Sequence, residues 1–255
     1  MRVDAPKLHA LAEIEQQLGG NGNVLEVGFG DSSFLKSLCD AGYSVIGTEV
    51  SDWMVKETQS TLPQATVVCT DDPSEVEGEF DAVCCFEVLE HLTNPQAFAS
   101  KLPGKTLYGS VPDPWRWYPK LTGRYEYWDY PPNHLWRYCL CSPVERDHHD
   151  SECILKERIK NSDGPQVMSL KWLLGQAGYD QVTVHQTHVQ PQDVLRIIPI
   201  RKNAASYDQM RPRGKFRLIF STAKRVLAPG TYVASSALNV MGFHGVSYYF
   251  TATRP

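Results

Sequence analysis

Glu26, Gly28, Gly30 and Glu49 are the residues whose types and spacing first suggest chemistry. Val24-Leu25-Glu26-Val27 is a short apolar run that enters a glycine turn, Gly28-Phe29-Gly30, and a helix-like stretch follows from Ser33. The next apolar run, Tyr43 to Thr48, ends on an acid, Glu49. Glycines carry no Cβ, so the backbone can turn tightly and approach a ligand closely. An acid at the tip of the following strand can accept hydrogen bonds from both hydroxyls of a ribose. The pattern predicts a cradle for an adenosine-containing cofactor. A dinucleotide fingerprint wants a third glycine three residues after the second, and Ser33 stands there instead. Glu26, at the strand end, would repel a pyrophosphate. It suits a ligand with a cationic amino-acid tail and no phosphate, a description that fits S-adenosylmethionine (SAM).

Further along come Asp71-Asp72-Pro73 and then Phe80-Asp81-Ala82-Val83-Cys84-Cys85-Phe86, an apolar strand pattern followed by Glu87, Glu90, His91 and Leu92. Leu25 to Gly30, Glu49, Asp71-Asp72 and Phe80-Asp81 to Glu90-His91-Leu92, taken in order, closely resemble the class I SAM-dependent methyltransferases, in particular the small-molecule and quinone O-methyltransferase-like branch. The resemblance covers about residues 20 to 112 and resumes near 168 to 188. It implies that Glu26, Gly28, Gly30 and Glu49 hold the methionine and ribose parts of SAM. It further implies that Asp71 accepts from the adenine amino group, with Asp72 as the alternate, and that Glu87 joins the cofactor set. The stretch Asn133-His134-Leu135 is similar to one that related enzymes carry over the substrate pocket. His134 is therefore the first candidate for a catalytic or orienting base and His91 the second, since ligands in open α/β sheets sit at the carboxyl ends of the strands.

The elements that must position these residues are legible as strand and helix patterns in alternation. Strands are expected at Val24–Val27, Val45–Glu49, Thr66–Cys69, Phe80–Phe86 and Thr106–Val111. Helices are expected over residues 4 to 18, with Leu8, Leu11, Ile14 and Leu18 on one face, and at Ser33–Ala41 and Asp52–Thr61. Alternation of this kind means a parallel sheet covered on both faces. A helix at Ser169–Ala177 and strands at Val182–Val189 and Val246–Thr253 complete a Rossmann-like α/β fold. The expected sheet has seven mostly parallel strands, and the resemblance implies that the last is antiparallel. The whole chain of 255 residues reads as one methyltransferase domain, with core at about 20–112, 168–189 and 245–255 and insertions at 113–167 and 190–244.

Composition narrows the function. A net charge of -4 argues against a nucleic-acid partner. The amino terminus lacks the apolar core of a signal peptide, and the chain has no run of about 18 apolar residues. Seven cysteines, an odd number and several in strand patterns, fit reduced thiols in a cytoplasmic protein. Cys139, Cys141, His148, His149 and Cys153 match no common zinc module, and no metal is expected. The aromatic stretch 115–138 reads as a lid over the acceptor or as packing of an insertion. Residues 194–225 hold nine basic residues against one acid. With its apolar neighbours to 227, this segment offers a peripheral membrane contact, a phosphate or carboxylate contact to the acceptor, or a solvated face. The function expected is methyl transfer to a small-molecule acceptor, partly aromatic or anionic, at oxygen, by in-line displacement with a histidine base. An N-methyltransferase acting on an amine or amino sugar and a non-catalytic SAM-binding or partner subunit are the alternatives.

Overall fold

The computed structural model describes residues 4–122, 125, 129–140, 165–195 and 230–255. Helix α1 (Ala5–Leu18) opens at Asp4, whose carboxylate accepts from the Lys7 backbone N–H, and closes at Gly19 in the left-handed conformation. Then follow β1 (Asn23–Val27), α2 (Ser33–Asp40), β2 (Ser44–Glu49), α3 (Asp52–Thr61), β3 (Thr66–Cys69), β4 (Ala82–Phe86), α4 (Pro95–Lys101) and β5 (Thr106–Pro112). Beyond them lie α5 (Trp117–Thr122), β6 (Trp136–Cys139), β7 (Gln166–Ser169), α6 (Leu170–Gln176), β8 (Gln181–His188), α7 (Pro191–Leu195), α8 (230–240) and β9 (His244–Thr253).

One seven-stranded sheet runs in the order β3-β2-β1-β4-β5-β9-β8. The first five strands are parallel, and β9 lies antiparallel between β5 and β8. This is the Rossmann-like arrangement expected from the sequence. Period-two alternation divides the sheet between two cores. On β4, Val83 and Cys85 face α4 and α6, whereas Ala82, Cys84 and Phe86 face α1 and α2. On β1, Leu25 and Val27 take the first side and Val24 the second. The same alternation sends Glu26 to the α1 side.

Three details differ from the sequence reading. One position of the predicted α1 face turns outward: Leu8 is 54% exposed, while Ile14 is buried, Leu11 and Leu18 pack partly buried against the core, and Ala10 joins them. The sheet turns the Lys7–Ala10–Ile14 stripe inward, because it must cover Glu26 as well as the apolar side chains. Strand β4 begins two residues later than expected and β9 two residues earlier. Strands β6 and β7, a parallel pair with Trp136 opposite Gln166, were not anticipated. Their four-residue patterns are too short to show a period.

Gly109 on β5 tests the packing. A Cβ there would lie 2.4 Å from Cζ of Phe250 on β9 and 2.6 Å from the Cys85 carbonyl oxygen on β4. The ring could rotate away, but the backbone oxygen of a central strand cannot. Gly109→Ala should therefore cost at least about 2 kcal/mol, a fall in Tm of about 4–8 °C by thermal melting.

Candidate active site

The carboxyl ends of β1, β2 and β4 open onto a cavity of about 790 Å³. Gly28, Gly30, Glu49, Asp71, Glu87 and His91 all line it. Gly28 has φ +72°, and a Cβ on it would come within 2.6 Å of the Val88 side chain, which is itself part of the cavity wall. Glycine is therefore required there on both conformational and steric grounds. Glu49 has a second task that its sequence position did not reveal. One carboxylate oxygen accepts from the Gly30 N–H (3.1 Å), the other from the N–H groups of Val50 (3.0 Å) and Ser51 (3.2 Å). It ties the glycine turn to the end of β2, and a carboxylate has room for further donors.

Glu26, Asp72 and His134 are not among the residues that line this cavity. Asp72, expected as the alternate to Asp71, turns away. It pairs with Lys101 and caps the short turn Pro73–Glu75 through the Ser74 N–H (3.0 Å). Hydrogen bonds from Lys101 and Ser74 hold its carboxyl down to about 2. Glu26, 1% exposed, lies beneath α1 with one oxygen 3.3 Å from the Lys7 ammonium. Burial pushes its carboxyl up to about 7, and Lys7 opposes the rise. The group from this pair that lines the cavity is Lys7.

Glu87 has φ +54°, unusual for a residue with a side chain, and its carboxylate accepts from the Ser110 hydroxyl at 2.8 Å. Burial raises its pKa, and burial together with Glu87 raises that of Glu90 further; Glu90 is fully buried and neither carboxylate oxygen has a hydrogen-bond partner.

The two candidate bases are neighbours. The rings of His91 and His134 meet edge to face at 4.9 Å. The region before and within β6 brings them together. Leu135 N–H donates to the Glu90 carbonyl (2.7 Å), Trp136 Nε1 to the Leu92 carbonyl (2.8 Å) and Tyr138 Oη to the Leu89 carbonyl (2.9 Å). The Nδ1 of His91 lies 2.5 Å from the Asn133 carbonyl, which can only accept, so that nitrogen carries the proton. The Nδ1 of His134 is 3.4 Å from a carboxylate oxygen of Asp129, which is paired in turn with Arg116. Each ring is thus oriented through Nδ1, which leaves Nε2 as the atom able to accept a proton or ligate a cation. Burial pulls the His91 pKa down. Glu90, His91 and His134 bring one ligating atom each within 4.8 Å of one another.

None of the described aromatic residues of 115–138 lines the large cavity. Tyr125 and Tyr130 lie against the Arg116–Arg137–Asp129 cluster instead, with Arg137 3.6 Å from the centre of the Tyr125 ring. Tyr127, Trp128, Cys141, His148, His149, Cys153 and the basic run from Arg196 lie outside the described residues.

A family model for a methyltransferase domain matches residues 4–184. The chain belongs to that family, the class I SAM-dependent methyltransferases. No curated protein matches the methyltransferase. Among solved structures it is similar to a SAM-dependent methyltransferase from Archaeoglobus fulgidus, with 17% identity over 97% of this chain and 94% of that one and a TM-score of 0.49. It is also similar to the magnesium protoporphyrin IX methyltransferase of Synechocystis, solved with SAM bound, at 26% identity over 42% of this chain and 58% of that one, TM-score 0.38. A 1,6-didemethyltoxoflavin-N1-methyltransferase from Burkholderia thailandensis gives 21% identity over 43% and 53% of the two chains, TM-score 0.36. The methyltransferase assignment rests on the family match, which carries no acceptor class with it. The residues present fit SAM: Gly28 closed to a Cβ, the carboxylates of Glu49 at the end of β2 and Asp71 beyond the end of β3 on the cavity wall, and a cavity of the right order of size.

Proposed function

We propose that the methyltransferase transfers a methyl group from SAM to an oxygen of a small-molecule acceptor, and that His134 takes the acceptor's proton with His91 beside it. SAM supplies the electrophilic methyl; the protein holds the two reactants in line and receives the proton. Gly28, Gly30, Glu49 and Asp71 would hold the cofactor in the large cavity. The observation that carries the reading is the pair of imidazoles in edge-to-face contact, His91 on the cavity wall and His134 beside it, each oriented through Nδ1. A carboxylate of Asp129 stands behind Nδ1 of His134, where a peptide carbonyl stands behind that of His91. We take the chain as one domain with insertions at 113–167 and 190–244, acting in the cytoplasm. No helix among the described residues is long and apolar enough to cross a membrane.

A second reading, an amine or amino sugar as acceptor, is favoured by one observation. A smaller cavity of about 210 Å³ shares Asp4 and Glu87 with the first and adds Asp193 and His188. Carboxylates on its wall suit a cationic or hydroxyl-rich acceptor better than the anionic one considered from the sequence. A pH–kcat profile at saturating SAM separates the two. A histidine base must be neutral to act, so activity should fall as the ring is protonated at low pH and level off once it is neutral. Burial has already shifted His91 toward its neutral form. A rate that keeps rising to about pH 9–10 would follow amine deprotonation and favour the second reading. A rate that requires an added divalent cation would assign the ring nitrogens to a metal instead.

A further inference from the structure

The amino-acid end of SAM carries a carboxylate as well as an ammonium group, and a carboxylate needs a cationic or N–H partner when it leaves water. Five acids, Asp4, Asp31, Glu49, Asp71 and Glu87, line the large cavity, and Lys7 is the one lysine or arginine among the described residues that does. Its ammonium is held from three sides. Glu26 lies 3.3 Å away, and the rings of Phe34 and Phe86 lie 5.8 and 5.5 Å from Nζ. Burial draws the Lys7 pKa down, but attraction to Glu26 and Asp4 outweighs it and keeps the group charged. A single ion pair leaves part of a three-donor ammonium unused, and the Lys7 side chain retains 14% exposure. Buried ion pairs contribute little to stability on average, so stability alone is a weak reason for placing one against a ligand cavity.

We propose that Lys7 recognises the α-carboxylate of SAM and that Glu26 is a positioning residue, the counter-ion that fixes the Lys7 ammonium rather than a direct ligand of the cofactor's amino group. The proposal rests on the SAM reading above. It also explains why Glu26 sits on the α1 side of β1: alternation along the strand aims it at the stripe of α1 that carries Lys7. Two ammonium groups competing for one carboxylate would weaken cofactor binding. A Lys7–carboxylate contact instead continues an alternating row of charges from Glu26 outward.

The test compares SAM with decarboxylated SAM, which keeps the adenosine, sulfonium and amino group and lacks only the carboxylate. Binding of both is measured by calorimetry on the full chain for wild type, Lys7→Gln, Lys7→Arg and Glu26→Gln. Wild type should prefer SAM by about ten- to a hundred-fold, as a charge-assisted hydrogen-bonded contact allows. Lys7→Gln should erase that preference while leaving decarboxylated SAM within about threefold of wild type, Lys7→Arg should restore most of it, and Glu26→Gln should reduce it in part. Lys7→Met, which keeps the stem against Phe34 and Phe86, serves if Lys7→Gln does not fold. A preference unchanged in the variants overturns the proposal. Tighter SAM binding by Lys7→Gln also overturns it, since the ammonium would then be a competitor. If wild type binds decarboxylated SAM and SAM equally well, the SAM reading stands and the role of Lys7 falls. If it binds neither, both fall.

Discussion

His134→Ala should lower kcat by roughly 10²- to 10⁴-fold, the usual contribution of a positioned general base, with affinity for S-adenosylhomocysteine unchanged. The separation follows from the geometry. His134 lies off the wall of the large cavity, so its removal leaves the cofactor contacts in place. It does remove the imidazole that is backed by Asp129 and pressed against His91. His91→Ala should cost less in kcat, because Nδ1 of the ring is held by a peptide carbonyl and Nε2 lies 3.8 Å from the buried Glu90 carboxylate, which leaves it less open to an acceptor. Because His91 lines the cavity, its loss should also disturb cofactor affinity. Steady-state kinetics with a turned-over acceptor, together with calorimetry on both variants, read out the two effects. A His134→Ala enzyme with near wild-type kcat would remove the ring from the chemistry and leave it a structural partner of Asp129.

Glu49→Ala should weaken SAM and S-adenosylhomocysteine binding by roughly 2–4 kcal/mol, about thirty- to a thousand-fold, since hydrogen bonds to a charged acceptor contribute about 1.5–3 kcal/mol each. Two losses combine. The ribose loses its acceptor, and the N–H groups of Gly30, Val50 and Ser51 lose the carboxylate that fixes the glycine turn against the end of β2. Glu49→Gln should fall almost as far. An amide offers one acceptor oxygen and one NH₂, and the NH₂ would face a backbone donor whichever way it turned. The charge-preserving Glu49→Asp is too short to reach both turns and should lie between wild type and alanine.

The cofactor end of this site was legible because its signals are local. Gly28 and Gly30, both at positive φ, announce a tight backbone turn, and the acid that ends β2 stands at a fixed distance from them in any sheet of this kind. The parallel sheet was legible from alternating patterns for the same reason. What escaped depends on contacts distant in sequence. Lys7 is an ordinary helix residue until α1 is laid over β1, where the pleat has turned Glu26 toward it. On α1, Leu11, Ile14 and Leu18 pack inward as expected and Leu8 does not, because the inward stripe runs through Lys7 and Ala10 and a stripe with a lysine in it does not look apolar. Asp72 could be told from Asp71 only once Lys101 on α4 had claimed it. The meeting of His91 and His134, 43 positions apart in the sequence, depends on β6, too short to be recognised, and on hydrogen bonds from Leu135, Trp136 and Tyr138 to the loop after β4.

The central claim is that the cavity at the ends of β1, β2 and β4 is a SAM site. Calorimetric titration of the full wild-type chain with S-adenosylhomocysteine, in the presence and absence of NADH, tests it most directly. The account predicts saturable micromolar binding, one ligand per chain, displaced by SAM and unaffected by NADH. No heat at millimolar ligand, or displacement by NADH, would contradict it.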